Sequence, residues 1–537
     1  MALPTRAGTA SALLVALIAA VMLSTVLDYG MTGDEGVQHR YARRVLHWYA
    51  TAGADRSAVA EEDISMYGAF FEGLAEAAAS VSPLDPYETR HIVNVLFGLA
   101  AFVAALLMGR HLAGTGGGVL AVLMLALTPP FYGHAFNNPK DIPFAGTFAV
   151  AVCVILAVSD RSPRLRGRDV FAAALAIGVT AGVRVAGISL FGFALLLWGA
   201  VALVRARAGG EGRAALVGDL RRLALSWLAV VVLGWTVMVV LWPWAQVAPI
   251  RNPLRALGAF SRFWETMVVF YDGEYVPNGA VSRFYIPKWF ALTMPETYGV
   301  AAILGVLSLG RIWRRPAWPL ETRIALVQAG WLALVAAVPV AWVVVRHTPL
   351  YDGLRHFLFV VPLLAVLGGV SAASYLRARA RRVDGVMAAV ILAGCGALTL
   401  SDMIALHPYE AIYFNRLVAG GLGRAVDRYD TDYWCLTYKE GAEWLLTRYA
   451  KEACPEKIRV AGNSILLQTS YYLKKTEEGR RLFMSVSLDD RPNFAMATTR
   501  FGDHRRTPGR LVHTVDRQGA TLLYVFEVEP PACRPGP

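Results

Sequence analysis

The chain has 537 residues, of which 56% are hydrophobic and 17% charged. Soluble domains carry about 25% charged residues, so this composition excludes a water-bathed globule and points to an integral membrane protein. The formal charge of +12 would raise nucleic acid as a partner in a soluble chain, but here most arginines stand in short blocks between apolar runs, where they report membrane orientation, and no nucleic-acid partner is expected.

In chain order, Arg6 precedes a first apolar run at 10–28, too long for a signal-peptide core and without an A-x-A-like site, so a retained first helix is expected. Runs near the length needed to cross about 30 Å of hydrocarbon follow at 90–109, 114–130, 142–159, 169–184, 186–204, 223–242, 296–312, 323–345, 355–375 and 383–403. Basic blocks at Arg161 to Arg168, Arg205 to Arg222, Arg311 to Arg323 and Arg377 to Arg382 all belong on the cytoplasmic side, and about eleven crossings put them there. That topology leaves outside the loops 29–89, 131–141, 243–295 and 346–354, and everything after residue 403. Glycines 178, 182 and 187 interrupt the fifth and sixth runs, so Arg184 is expected at an outer turn between two crossings.

The expected fold is an all-α polytopic membrane domain over 1–403, with an amphipathic helix from Val37 to Ala50 in the outer loop 29–89, followed by a small extracytoplasmic α/β domain over 404–537. In that last part KIRVAG, RLFMSVSL and FAMATT read as strands, Glu440 to Tyr449 as a helix, and LVHTVD with TLLYVFEVE as a hairpin turning on glycine. The five cysteines lack metal-ligand spacing; if the C-terminal portion lies outside, the compartment permits one disulfide among Cys435, Cys454 and Cys533.

Four groups of polar residues could carry chemistry. Asp34 and Glu35 stand just beyond the first run, where a shielded carboxylate can have its pKa raised and act as a general base; equally, Asp34 suits the N-cap of the helix that follows. The loop TPPFYGHAFNNPKDIPFA uses four prolines to hold His134, Asn137, Asn138, Lys140 and Asp141 at one interface; a simple Asn-Pro turn with a snorkelling lysine is the plainer alternative. Arg184 beside an apolar run, and Arg346, His347, Arg355 and His356 in RHTPLYDGLRHF, are cations that want an anion: either Asp352 nearby, or a lipid phosphate. The loop 243–295 holds Trp264, Tyr271, Tyr275, Tyr285 and Trp289, with Tyr298 just beyond it, as membrane anchors or sugar-stacking faces.

Taken together these features resemble the C-type (GT-C) membrane glycosyltransferases, in the family 39-like branch of phospholipid-carrier-dependent enzymes that includes protein O-mannosyltransferases and the lipid A aminoarabinose transferase. The resemblance rests on Asp34 and Glu35, RHIVNVLFG, FNNPKDIPFA, GVTAGVRVAG, YDGLRHFLFVVP and the long segment from HPYEAIYFNRL to EGAEWL. It departs at Cys435, where glycine is expected after DYW. It implies a polyprenyl-phosphate sugar donor, an acceptor that is a lipid, glycan or protein, and a site at the outer face of the cytoplasmic (inner) membrane. The implied roles are Asp34, Glu35 and Asp141 in catalysis; Lys140, Arg184, Arg355 and His356 on the donor phosphate; and His134, Asn137, Asn138 and Tyr351 against substrate. The chain contains no GxxxxGKS or strand-anchored GxGxxG loop for a nucleotide, and its acidic residues are too sparse to assign a metal or another cofactor. A transporter or lipid flippase is the alternative class, although no internal repeat is seen, and a scaffold is the third.

Overall fold

The computed structural model describes residues 6–210, 212–260, 266–313, 318–380, 382–450, 452, 454–462 and 466–533; Trp264, Arg314, Arg315 and Arg381 lie outside these. The chain is mostly helical, and all eleven apolar runs fall on helix. The N-terminal part contains α1 (Arg6–Thr25), α2 (Glu35–Ala50), α3 (Phe70–Val81), α4 (Pro86–Ala126), α5 (Pro129–Asn137), α6 (Asp141–Ser159), α7 (Gly167–Val183), α8 (Ser189–Gly209) and α9 (Arg213–Val240). It continues with α10 (Arg251–Phe260), the short hairpin β1 (Val268–Tyr271) and β2 (Glu274–Pro277), α11 (Tyr285–Thr293), α12 (Glu296–Trp313), α13 (Leu320–Arg346), α14 (Val361–Arg379) and α15 (Val383–Leu406).

Among the described residues eight helices are long and apolar enough to cross a membrane, or nine if α11 and α12, bent by 103°, form one broken span. Two features separate that number from the eleven runs. The 41-residue α4 is two arms folded back on each other: Ala113 and Gly114 leave helical geometry, and a Cβ on Gly109 would lie 2.6 Å from the carbonyl oxygen of Gly117, so only glycine permits this close return. α7 has 17 residues, about 26 Å of helix, at the short end for a crossing. α7 and α8 are separate because Arg184 is extended (φ −146°, ψ 134°), and a single 3-10 turn leads into α8.

The basic blocks and the candidate site residues occupy opposite ends of the same helices. Arg161 to Arg168 follow α6 and open α7, whereas Asp141 opens α6 and Arg184 closes α7. Likewise Arg377 and Arg379 end the helix that starts beside Arg355.

Two of the loops expected on the outer side are more ordered than the sequence indicates. The stretch expected as a loop at 131–141 is mostly α5, buried throughout, because Pro129 and Pro130 occupy its first turn, where the missing N–H groups would have no helical partner. Among the described residues of 243–295, Tyr271, Tyr285 and Trp289 are core residues and neither anchors nor open faces: they are 8%, 3% and 4% exposed, Trp289 packs on Phe414 and Tyr429, and the half-buried Tyr275 donates to the carbonyl of Thr499.

After α15 come α16 (Tyr438–Tyr449), β3 (Ile458–Gly462), α17 (Leu466–Lys474), β4 (Phe483–Val486), β5 (Phe494–Ala497), β6 (Arg510–Arg517) and β7 (Ala520–Glu527). The five-stranded sheet runs β4-β3-β5-β7-β6, with β3 parallel to both neighbours and β6–β7 an antiparallel hairpin. The hairpin turns on Gln518 and Gly519, both at positive φ, as a two-residue turn matched to strand twist requires. Cys454 and Cys533 form a disulfide, and Cys435 is free and buried. Cys435 has φ +56°, so the position where glycine was expected does take a left-handed backbone.

This C-terminal region rests on the end of the bundle that holds the site residues. Lys439 donates to the carbonyls of Leu27 and Asp28, the Met31 amide donates to the Tyr472 hydroxyl, and Tyr433 Oη lies 3.1 Å from His134 Nε2.

Candidate active site

Three segments far apart in sequence bring cations to one place. Lys140 precedes α6, Arg184 sits in the break between α7 and α8, and Arg355 opens the 3-10 turn that leads into α14. All three line one cavity of about 210 Å³, together with His356, Tyr351 and Tyr67. Each cation meets a carboxylate. Lys140 Nζ is 3.2 Å from Asp34 Oδ2, Arg184 Nη2 is 2.8 Å from Asp141 Oδ1, and Arg355 Nη2 is 2.9 Å from Asp352 Oδ2. Arg355 Nη1 also reaches Asp141 at 3.5 Å and Asp34 at 3.8 Å. Aromatic rings hold the cations from the side: Tyr67 faces both Lys140 and Arg184, and Arg355 lies over Trp434 and Tyr351. Arg184 Nε is buried and donates to no atom among the described residues.

Asp34 is placed by the turn that starts α2. It occupies the N-cap position, yet its side chain makes no capping hydrogen bond and points to Lys140 and Arg355 instead. The raised pKa expected from the sequence does not occur. Burial would lift it, but the charges of Lys140 and Arg355 outweigh that, and its pKa falls below 3.8. Lys140 shows the reciprocal effect: burial opposes its charge, but Asp34 and then Tyr67 hold its pKa above the ordinary lysine value. Asp34 does not line the cavity itself; it is in ion contact with two residues that do.

The remaining candidates divide by location. Asp141 is 2% exposed and held by Asn138, whose Nδ2 donates to Asp141 Oδ2 at 2.9 Å while its Oδ1 accepts from the Asp141 amide. Asn138 therefore shapes the start of α6. Asn137 donates to the Gly30 carbonyl and serves the backbone instead of the cavity. His134 lies outside the cavity against Trp434, and burial pushes its pKa down to about 4, so it is neutral near pH 7. Glu35 is separate from the cluster: its oxygens accept from the Thr32 amide at 2.6 Å and pair with His91 at 2.9 Å, tying α2 to α4. Arg346 packs on Trp342 and His347 meets the carbonyl of Val281, so neither joins Arg355.

Several residues here escaped the sequence reading. Gln38, with its amide turned to satisfy both neighbours, accepts from Lys140 and donates to Glu72, which is paired with the buried Arg90. Tyr67, Trp434 and Arg500 are others. Gln38 lay in the helix expected over Val37 to Ala50 and Trp434 in the long segment from HPYEAIYFNRL to EGAEWL, but a lone glutamine, tyrosine, tryptophan or arginine carries no local signal of a site. Among the described residues no group of three or more acidic, histidine or cysteine side chains is placed to hold a metal. Asp34, Asp141 and Asp352 approach one another, but a cation stands between each pair.

Asp430, beside the cluster, accepts from the Phe270 amide at 2.9 Å, and its burial lifts its pKa to about 7 against 3.8 for the ordinary group. The folded state therefore keeps a proton that the unfolded chain releases, and the contribution of Asp430 to stability falls as pH rises from about 4 to about 7. His134, kept neutral by burial, contributes the opposite sign over much of that window, so the effect of Asp430 is read as a difference: the melting temperature of Asp430→Asn relative to the wild type should rise as pH goes from about 4 to about 7, and a difference independent of pH would remove Asp430 as a titrating group there.

No family model and no curated protein matches the chain. Among solved structures it is similar to ArnT from Cupriavidus metallidurans bound to undecaprenyl phosphate, at 17% identity and a TM-score of 0.48, covering 96% of this chain and 98% of that one. It is also similar to the Archaeoglobus fulgidus oligosaccharyltransferase tethered to an acceptor peptide, at 12% identity and a TM-score of 0.48 over 90% of this chain and 69% of that one. A third similar structure is AglB from Archaeoglobus fulgidus in complex with an inhibitory peptide and a dolichol-phosphate, at 13% identity and a TM-score of 0.44, covering 88% and 64%.

Proposed function

We propose that this chain transfers a sugar from a polyprenyl-phosphate donor to an acceptor hydroxyl at the outer face of the cytoplasmic membrane, with eleven crossings and the C-terminal domain outside. The observation that carries this reading is the convergence of Lys140, Arg184 and Arg355 on one cavity, at the helix ends opposite the basic blocks. By the charge rule the basic ends face the cytoplasm, so the cavity faces outward. Three cations at a lipid-water boundary suit a phosphate head group whose tail stays in the bilayer.

In the reaction, the acceptor oxygen attacks the anomeric carbon as the bond from that carbon to the phosphate oxygen breaks, giving inversion in one displacement. The proton of the acceptor passes to the Asp34 carboxylate, and the charge left on the lipid phosphate is met by Lys140, Arg184 and Arg355. Because Lys140 and Arg355 also depress the pKa of Asp34, a bound phosphate that pairs with them raises its basicity, so the base gains strength when the donor is present. Asp141 and Asn138 position Arg184 and Arg355, and Glu35 fixes the turn that presents Asp34.

Lipid extraction from the purified protein, followed by mass spectrometry, tests the donor: a copurifying polyprenyl-phosphate sugar is expected, and transport of an unrelated solute with no such lipid would favour a transporter. Arg184→Ala should weaken donor-lipid binding about tenfold, the worth of one hydrogen bond to a charged group, and leave acceptor affinity unchanged. Equal donor affinity in that variant would remove Arg184 from the site.

A further inference from the structure

The C-terminal domain sends one charged side chain into the cluster. Arg500 follows β5, and its Nη1 donates to Asp352 Oδ1 at 3.0 Å and to the carbonyl of Tyr433. The other oxygen of the same carboxylate, Asp352 Oδ2, accepts from Arg355 Nε at 3.1 Å and Nη2 at 2.9 Å. Asp352 is thus shared, one oxygen to each arginine, and is itself 3% exposed. Its backbone is left-handed, with φ +56°, a conformation that aspartate tolerates better than most residues, and that sets the carboxylate between the two domains.

The charges explain why the sharing matters. Asp34, Asp141 and Asp352 already balance Lys140, Arg184 and Arg355, and Arg500 is a further cation at the cluster. With three carboxylates against four cations, the cluster keeps positive charge for another anion. Arg500 also fixes the carboxylate in place, and so the edge of the Arg355 guanidinium that grips it; the opposite edge then faces Asp141, Asp34 and the cavity.

We propose that Arg500 is a positioning residue which, acting through Asp352, orients Arg355 and makes anion capture in the cavity depend on the docked C-terminal domain. The role in capture rests on the reading of the cavity as the seat of a lipid phosphate; the orientation of Arg355 does not.

The experiment uses the full-length protein in detergent with two readouts. Phenylglyoxal labelling of Arg355, followed by peptide mass spectrometry, reports its orientation, and titration with a sugar-free polyprenyl phosphate reports capture. Arg500→Met should raise the Arg355 labelling rate several-fold and weaken polyprenyl-phosphate binding about tenfold. Arg500→Lys, which keeps the charge, should restore most of both. In an Asp352→Asn background Arg500→Met should add less than about a twofold change, because the partner it acts through is already altered. If Arg500→Met yields no folded protein, Arg500→Gln is read the same way. Arg355 labelling at the wild-type rate, or effects that multiply in the Asp352→Asn background, would overturn the proposal. A wild type that binds no polyprenyl phosphate, with Arg355 labelling still raised in Arg500→Met, would instead overturn the donor reading and leave the positioning role standing.

Discussion

Asp34→Asn should reduce transfer by about a hundred- to ten-thousandfold, the range a positioned general base contributes, while the protein remains folded and inserted. The substitution keeps the size of the side chain and removes its charge and its ability to take a proton. Asp34 makes no capping hydrogen bond, so α2 loses nothing that asparagine cannot replace. It does meet Lys140 and Arg355, so a modest change in donor affinity accompanies the larger loss of turnover. The pH profile gives an independent check. In the free protein Lys140 and Arg355 hold the pKa of Asp34 below 3.8, so the acid limb of kcat/KM lies below that value. In the donor complex the phosphate shields those cations, and the acid limb of kcat moves to higher pH. Near-normal turnover by Asp34→Asn in membranes supplied with donor lipid would assign the base elsewhere.

The second large effect is expected at Arg355. One guanidinium meets Asp352, Asp141 and Asp34 and is held between the rings of Tyr351 and Trp434. Arg355→Met leaves the buried carboxylates of Asp141 and Asp352 without this partner, and breaking a buried ion pair from one side costs about 3–5 kcal/mol. A lowered melting temperature and loss of donor binding by more than about a hundredfold should appear together. Arg355→Lys should recover part of the stability but little of the donor affinity, because an ammonium cannot grip Asp352 with one edge while presenting another. If Arg355→Met bound polyprenyl phosphate as the wild type does, the cavity would not be a phosphate site. Full stability in the same variant would show that the carboxylates find other partners.

The membrane architecture was legible because its cause is local. A run of apolar residues long enough for hydrocarbon must satisfy its own backbone, and helix is the one way for a single segment to do so, so all eleven runs are helical. The strands and hairpin of the last part were legible for a similar reason, from alternation and turn residues. Motif proximity also revealed Lys140 beside Asp141 and Arg355 beside Asp352.

What the sequence could not show is anything set by the return of distant chain. The fold-back of α4 was read as two runs, but its glycine contact between Gly109 and Gly117 exists only once the arms meet. Glu35 and Asp34 are adjacent, yet one turns to His91 and the other to Lys140, because successive residues at a helix start face different neighbours. Gln38, Tyr67 and Arg500 are ordinary residues whose importance arises from what lies opposite them. Composition and periodicity by themselves determined a polytopic helical membrane chain, with its basic ends and its polar loops on opposite sides. Tertiary structure alone decided which carboxylate faces which cation, because ion pairing depends on distances of a few ångströms between segments whose separation along the chain carries no such information.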